Sequence, residues 1–196
     1  MKLLGPKSIS TGLSYLFLLL FILFAVHTIF ELFAFGIAYY NWTNSAHLFS
    51  DFIYVGNTID YAFPQHGDYT YFRFKYPFTD QQMLTGIFSK NNFIFHTFQN
   101  IFFTLFFAFA YKIFKKLSNE KIFTEFVIKD LKKFAIINLL YAPLYFLIWI
   151  FIFKANLETT MLLTSFAFLF LGIIMYFITA LFKKGYQLQS ENDLTI

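Results

Sequence analysis

Four blocks of apolar sequence, each long enough to cross a lipid bilayer, leave this chain few ways to fold. A membrane-spanning helix needs roughly 20 mostly apolar residues, because a rise of about 1.5 Å per residue then covers about 30 Å of hydrocarbon. Segments 13–35, 93–114, 134–153 and 161–182 meet that requirement. In lipid every backbone N–H and C=O must be paired inside the protein, so such segments form helices. The charge content agrees: only 13% of the 196 residues are charged and 58% are hydrophobic, whereas soluble domains run at about 25% and about 45–50%. The expected class is an all-α membrane protein, a four-transmembrane-helix bundle in which residues 1–196 make one membrane domain. Lys2 and Lys7 ahead of the first block, and Ala34-Phe35-Gly36 at its end, are features of a signal peptide. The apolar run is longer than the ~7–15 residues of a signal core, so it reads as a span.

Orientation follows from the basic residues. Two lie before the first span, seven between the second and third, and two directly after the fourth, which makes eleven of the fifteen lysines and arginines. Arg73, Lys75, Lys90 and Lys154 fall in the other two connections. The positive-inside rule therefore predicts a multi-pass protein of the cell (inner) membrane with both termini cytoplasmic. Cysteine is absent, which excludes disulfides, thiolate metal sites and cysteine nucleophiles. The net charge of +4 reflects this segregation and speaks for orientation, not for direct nucleic-acid binding.

Segment 36–92 is too long for a simple connector and is expected to carry a small extracytoplasmic β-rich insertion between helices 1 and 2. Across 70–78, Thr70, Phe72, Phe74, Tyr76 and Phe78 alternate with Tyr71, Arg73, Lys75 and Pro77, the period of a half-buried strand. Segments 52–55 and 58–63 flank Gly56-Asn57, a two-residue hairpin turn, and 64–68 reads as the next turn. A three-stranded meander is the expectation. Thr79 and Gln82 have capping-box spacing, which predicts a short helix carrying Met83, Leu84, Ile87 and Phe88 towards span two. Asn41-Trp42-Thr43 matches a glycosylation sequon, a pattern common by chance.

Ionisable groups at membrane depth are costly and direct attention to function. His27 and Glu31 stand four residues apart on one face of span one, and His96, Gln99 and Asn100 lie in the outer part of span two. Two histidines and a carboxylate supply enough donors for a zinc-type site or a proton relay. The plainer reading leaves Glu31 and His96 hydrated at the interface and His27 hydrogen-bonded within the bundle, and no HExxH spacing backs a metal. Neither a catalytic constellation nor a cofactor is indicated, so no enzyme is expected. Asn138, Thr164 and Ser165 are expected to bond between helices, and Pro143 to kink span three.

On the inner side, loop 115–133 is expected to hold an interfacial amphipathic helix that then enters span three, with Thr124 as N-cap and Glu125 at the positive helix end. Phe123, Val127, Leu131 and Ala135 form its apolar stripe, while Lys129, Asp130, Lys132 and Lys133 stay polar and meet lipid headgroups. Leu117, Ser118, Ile122, Phe123 and Thr124, together with a cytoplasmic tail 183–196 containing Gly185, Leu188, Gln189 and the run Glu191, Asn192, Asp193, Leu194, Thr195, Ile196, carry a resemblance. They resemble the two motifs of a bacterial four-span family known as domain of unknown function 2975. Phe126 departs from it, an asparagine being common there. Relatives are often encoded beside a small helix-turn-helix regulator, which implies a regulatory partner contacting Ile122–Thr124 and the tail. Without a partner, the tail is expected to pack on its own inner loop, with Glu191 and Asp193 paired to lysines.

Two functional readings stand. One is a small membrane sensor or regulatory partner, whose outer sheet perceives a signal and whose inner face transmits it. The other is a small oligomeric transporter, or a protein handling metal ions or protons through His27, Glu31 and His96. The partners expected are the lipid bilayer, a helix-turn-helix regulator in the first reading, and further copies of the chain in the second.

Overall fold

The computed structural model describes residues 2–57, 69–154 and 159–193. Helix α1 (Ile9–Asn44) leads into strands β1 (Ile53–Gly56), β2 (Tyr71–Lys75) and β3 (Gln82–Ile87). Helices α2 (Lys90–Leu117), α3 (Glu125–Leu147) and α4 (Thr159–Asp193) follow. All four helices, α3 together with its continuation to Phe153, are long and apolar enough to cross a membrane, as expected of a multi-pass membrane protein. Their apolar side chains are largely uncovered by the rest of the chain. Leu16, Leu19, Leu23, Val26 and Ile29 of α1, and Leu163, Phe166, Phe177 and Leu181 of α4, are all exposed. In water such surfaces would drive aggregation, and lipid is the solvent that matches them.

The chain divides into two compact units, one made of residues 1–25 and 101–196 and the other of residues 26–100. Both α1 and α2 contribute a stretch to each unit.

In the larger unit, α3 and α4 approach closely at Gly172. A Cβ built at Gly172 would lie 2.8 Å from the backbone nitrogen of Leu139, so no larger residue fits. Helices α1 and α2 are spaced by rings instead: Phe17 meets Phe114 at 5.1 Å and Phe24 meets Phe107 at 5.0 Å between centroids. Phe102 of α2 then joins Tyr141 of α3 at 4.2 Å and Phe168 of α4 at 4.9 Å. A second core lies near the α2–α3 connection, where Ile113, Leu117, Val127, Leu131 and Phe134 are buried together. Thr124 caps α3 as expected, its hydroxyl accepting from the Val127 N–H at 3.3 Å, and Glu125 stands in the first turn.

Expectations for this unit are met in part. As expected, the amphipathic helix runs on into span three: the two form one helix, α3, with Pro143 inside it. The departure from α geometry falls beyond that proline, where Ile148–Phe153 winds as a π-helix that ends on Lys154 in the left-handed region. Asp130 does not remain on a solvated face: it is buried and paired with Lys116 at 2.5 Å. Residues 183–193 are the last turns of α4, not a separate tail. Asn138 and Thr164 bond within their own helices, to the carbonyls of Phe134 and Thr160 at 2.7 and 2.9 Å, and the buried Ser165 hydroxyl has no partner. Back-bonding to the preceding turn is available without a partner helix, so it outcompetes the interhelical bond.

The smaller unit holds a three-stranded antiparallel sheet in the order β1-β2-β3, with β2 central. Phe72 and Phe74 face the same side, as the alternation predicts, and are fully buried with Ile53 against Ala34, Phe35 and Ala38 of α1. The membership of the sheet differs from expectation. Its third strand is 82–87, where a short helix was predicted, and segments 58–63 and 64–68 lie outside the described residues. The capping-box spacing is used by a hairpin instead. Thr79 donates to the Tyr76 carbonyl at 3.0 Å, Tyr76 N–H donates to Gln81 O at 3.1 Å, and Lys75 pairs with Asp80 at 3.2 Å. Phe78 sits in this turn with φ of 62° and is fully exposed. Gly86 in β3 lies close under the Phe72 ring, and a Cβ there would meet it at 3.3 Å, a tight contact that the ring would have to shift to relieve. The side chain of Asn41 is committed to structure: its amide donates to Leu48 O at 2.9 Å and its carbonyl accepts from Leu48 N–H at 3.0 Å, closing the end of α1.

Candidate functional site

The two stretches that carry the family resemblance meet in the larger unit. Thr124 ends the α2–α3 connection with an extended backbone, φ −132° and ψ 153°, as N-capping requires. The residue before it, Phe123, is thereby laid on α4, its ring 5.2 Å from that of Phe182. One turn on, Gly185 has no side chain, and a Cβ built there would lie 2.7 Å from the Phe123 ring. Phe123 thus needs a glycine opposite it. Ile122 packs on the adjacent core of Ile113, Leu117 and Val127. The seam joins the α2–α3 connection to the last turns of α4 and makes the end of α4 an ordered part of the bundle. Beyond the seam Leu188, Glu191 and Asn192 are exposed, Gln189 is half-buried, and Leu194, Thr195 and Ile196 lie outside the described residues. Lys116 braces the same corner, donating to the Phe126 carbonyl at 3.2 Å and pairing with Asp130. Glycine at 185 was legible only as a motif position; the pairing of Asp130 with Lys116 had no sequence signal, since fourteen residues separate them.

The second candidate lies in the smaller unit. Glu31 is 3% exposed, and one carboxylate oxygen, Oε2, accepts a short hydrogen bond from the Asn100 amide. The same oxygen is 3.5 Å from His27 Nε2, so the expected helical pair forms. Glu31 Oε1 has no partner, and neither has the buried Thr97 hydroxyl. Leaving a carboxylate oxygen buried and unpaired costs several kcal/mol, at about the level of a lost charged hydrogen bond. Glu31 is therefore not the hydrated interfacial group of the plainer reading. His96 is near enough for the charges of Glu31 and His27 to act on it, and its ring lies 6.5 Å from that of Phe35. Among the described residues no group of three or more His, Cys, Asp or Glu side chains is arranged to hold a metal ion.

Against known proteins, a family model described as "Protein of unknown function (DUF2975)" matches residues 37–196. No curated protein and no solved structure is significantly similar to the chain. The matched region begins after Glu31 and takes in the sheet, α2, α3 and both sides of the Phe123–Gly185 seam. With the match extending over most of its length, this membrane protein belongs to the DUF2975 family, whose function is unknown.

Proposed function

We propose that this chain is a small regulatory or sensory protein of the cell membrane, whose seam around Phe123 and Gly185 presents a docking surface to a soluble regulator on the cytoplasmic side. The observation that carries the reading is the convergence of the two motif stretches into one corner, where Phe123 is seated on Gly185 and Phe182. The side chains beyond the seam, Leu188 and Glu191 among them, are exposed where a partner would reach them. A helix-turn-helix regulator is the partner that the family resemblance suggests. Both termini are assigned to the cytoplasm by the distribution of lysines, which leaves the three-stranded sheet outside as the element that would perceive a signal.

Affinity capture from gently solubilised membranes tests this, comparing the full chain with one truncated after Gln189. Recovery of a DNA-binding protein by the full chain alone supports the reading. Equal recovery by both removes the end of α4 as the docking element.

A second reading, a small oligomeric transporter or a handler of protons or metal ions, draws support from the buried Glu31 with its unpaired oxygen. It predicts that His27→Ala and Glu31→Gln change metal content or proton flux in proteoliposomes. Unchanged values in both variants remove it.

A further inference from the structure

One cavity in the smaller unit is used by neither reading. It is an apolar groove of about 570 Å³ between the end of α1 and the start of α2. The buried ring of Phe35 and the rings of Phe88 and Phe93 make its floor, and Tyr39 and Trp42 stand at its side, both substantially exposed. A single charged residue, Lys90, lines it. From this construction we infer that the groove binds one acyl chain of an anionic phospholipid, with the headgroup held at Lys90.

Three independent observations lead there. The first is the composition of the walls. Tyrosine and tryptophan at the end of a long apolar helix mark the depth at which headgroups begin, so the groove opens where lipid, not bulk water, is the surrounding solvent. The second is Gly36. Glycine in mid-helix is a poorer helix former than alanine, and it usually persists because another backbone or ring comes close. Here a built Cβ has nothing within 4 Å, so close packing within the protein does not explain the glycine. It lines the groove, and its missing side chain leaves room for something else. The third is charge. Lys90 is the first residue of α2, whose first turn has no acidic residue, so a cation sits at the positive end of the helix dipole. Among the described residues no carboxylate forms an ion pair with it. A phosphate group beside it would answer both the lysine charge and the helix end. Ser89, also in the lining, adds a hydroxyl at the same rim.

Because the groove contains Trp42, fluorescence reads its occupancy. The chain has two tryptophans, and Trp149→Phe leaves Trp42 as the sole indole. The full-length Trp149→Phe protein is placed in phosphatidylcholine vesicles containing a small fraction of acyl-brominated lipid, either phosphatidylglycerol or phosphatidylcholine. A basic residue near the surface enriches an anionic lipid by about 1 kcal/mol, which is about fivefold. Brominated phosphatidylglycerol is therefore expected to quench Trp42 at about one fifth of the mole fraction that brominated phosphatidylcholine needs. Adding Lys90→Gln should bring the two lipids level, and Lys90→Arg should retain the preference. Gly36→Leu, which suits the helix and fills the groove, should weaken quenching by both. Equal quenching in the Trp149→Phe protein, or a preference that survives Lys90→Gln, overturns the assignment to an anionic headgroup. Quenching unaffected by Gly36→Leu overturns the assignment of the acyl chain to the groove. Circular dichroism at the helical minima verifies that each variant is folded.

Discussion

Replacing Gly185 by alanine sets two effects of opposite sign against each other, and the structure determines which prevails. In an exposed helix, Gly→Ala stabilises by about 1 kcal/mol, because the unfolded chain loses freedom and the helix gains a better former. At position 185 the new methyl would lie 2.7 Å from the Phe123 ring, inside van der Waals contact. Forcing a methyl into a packed site typically costs about 1–3 kcal/mol. The ring is held on its other side by Phe182 at 5.2 Å, so its freedom to give way is limited. The net expectation for Gly185→Ala is neutral to destabilising, by up to about 2 kcal/mol. In a Phe123→Ala background the clash disappears and only the helix term remains, so the same substitution should then stabilise by about 1 kcal/mol. The sign inverts, and the coupling between the sites is about 1–3 kcal/mol. Equilibrium unfolding of the four proteins in mixed micelles, followed by circular dichroism, measures the cycle. An effect of Gly185→Ala that is the same in both backgrounds would refute the claim that Phe123 is seated on the glycine.

Three further outcomes are expected. Asn100→Ala, which strips the buried Glu31 carboxylate of its amide donor, should lower stability by about 1–3 kcal/mol, and combining it with Glu31→Gln should recover part of the loss; thermal unfolding in detergent measures both. Lys116→Met removes the cation from a largely buried Asp130 and should destabilise by about 1–3 kcal/mol, the partial exposure of the lysine keeping it below a fully buried pair; the double variant Lys116→Met with Asp130→Leu should recover most of it. Because the chain has no cysteine, single cysteines report topology cleanly. Phe78→Cys should react with a membrane-impermeant maleimide in intact cells and Leu188→Cys only after permeabilisation, since both side chains are exposed. The reverse pattern would invert the orientation derived from the lysines.

The sequence by itself determined what depends on nearest neighbours and on the solvent. Four apolar blocks require four long helices because a backbone in lipid has no other way to satisfy its hydrogen bonds. Thr124 caps α3 because its partner is three residues away, and Phe72 and Phe74 share a buried face because a strand alternates. The helical pair of His27 and Glu31 was legible for the same reason. Only the tertiary structure decided the pairings between segments. Capping-box spacing at Thr79 and Gln82 is compatible with a helix or a hairpin, and β2 selects the hairpin by offering a partner strand and the Phe72 ring that Gly86 accommodates. Polar residues after the fourth apolar block are indifferent to helix or coil until Phe123 supplies a surface for Gly185, and α4 then continues to Asp193. Asp130 looked solvated on a helical wheel because Lys116 is on a different helix. The groove at Gly36 and Lys90 likewise joins two helices whose contributing residues lie some fifty positions apart, a distance over which local periodicity carries no information.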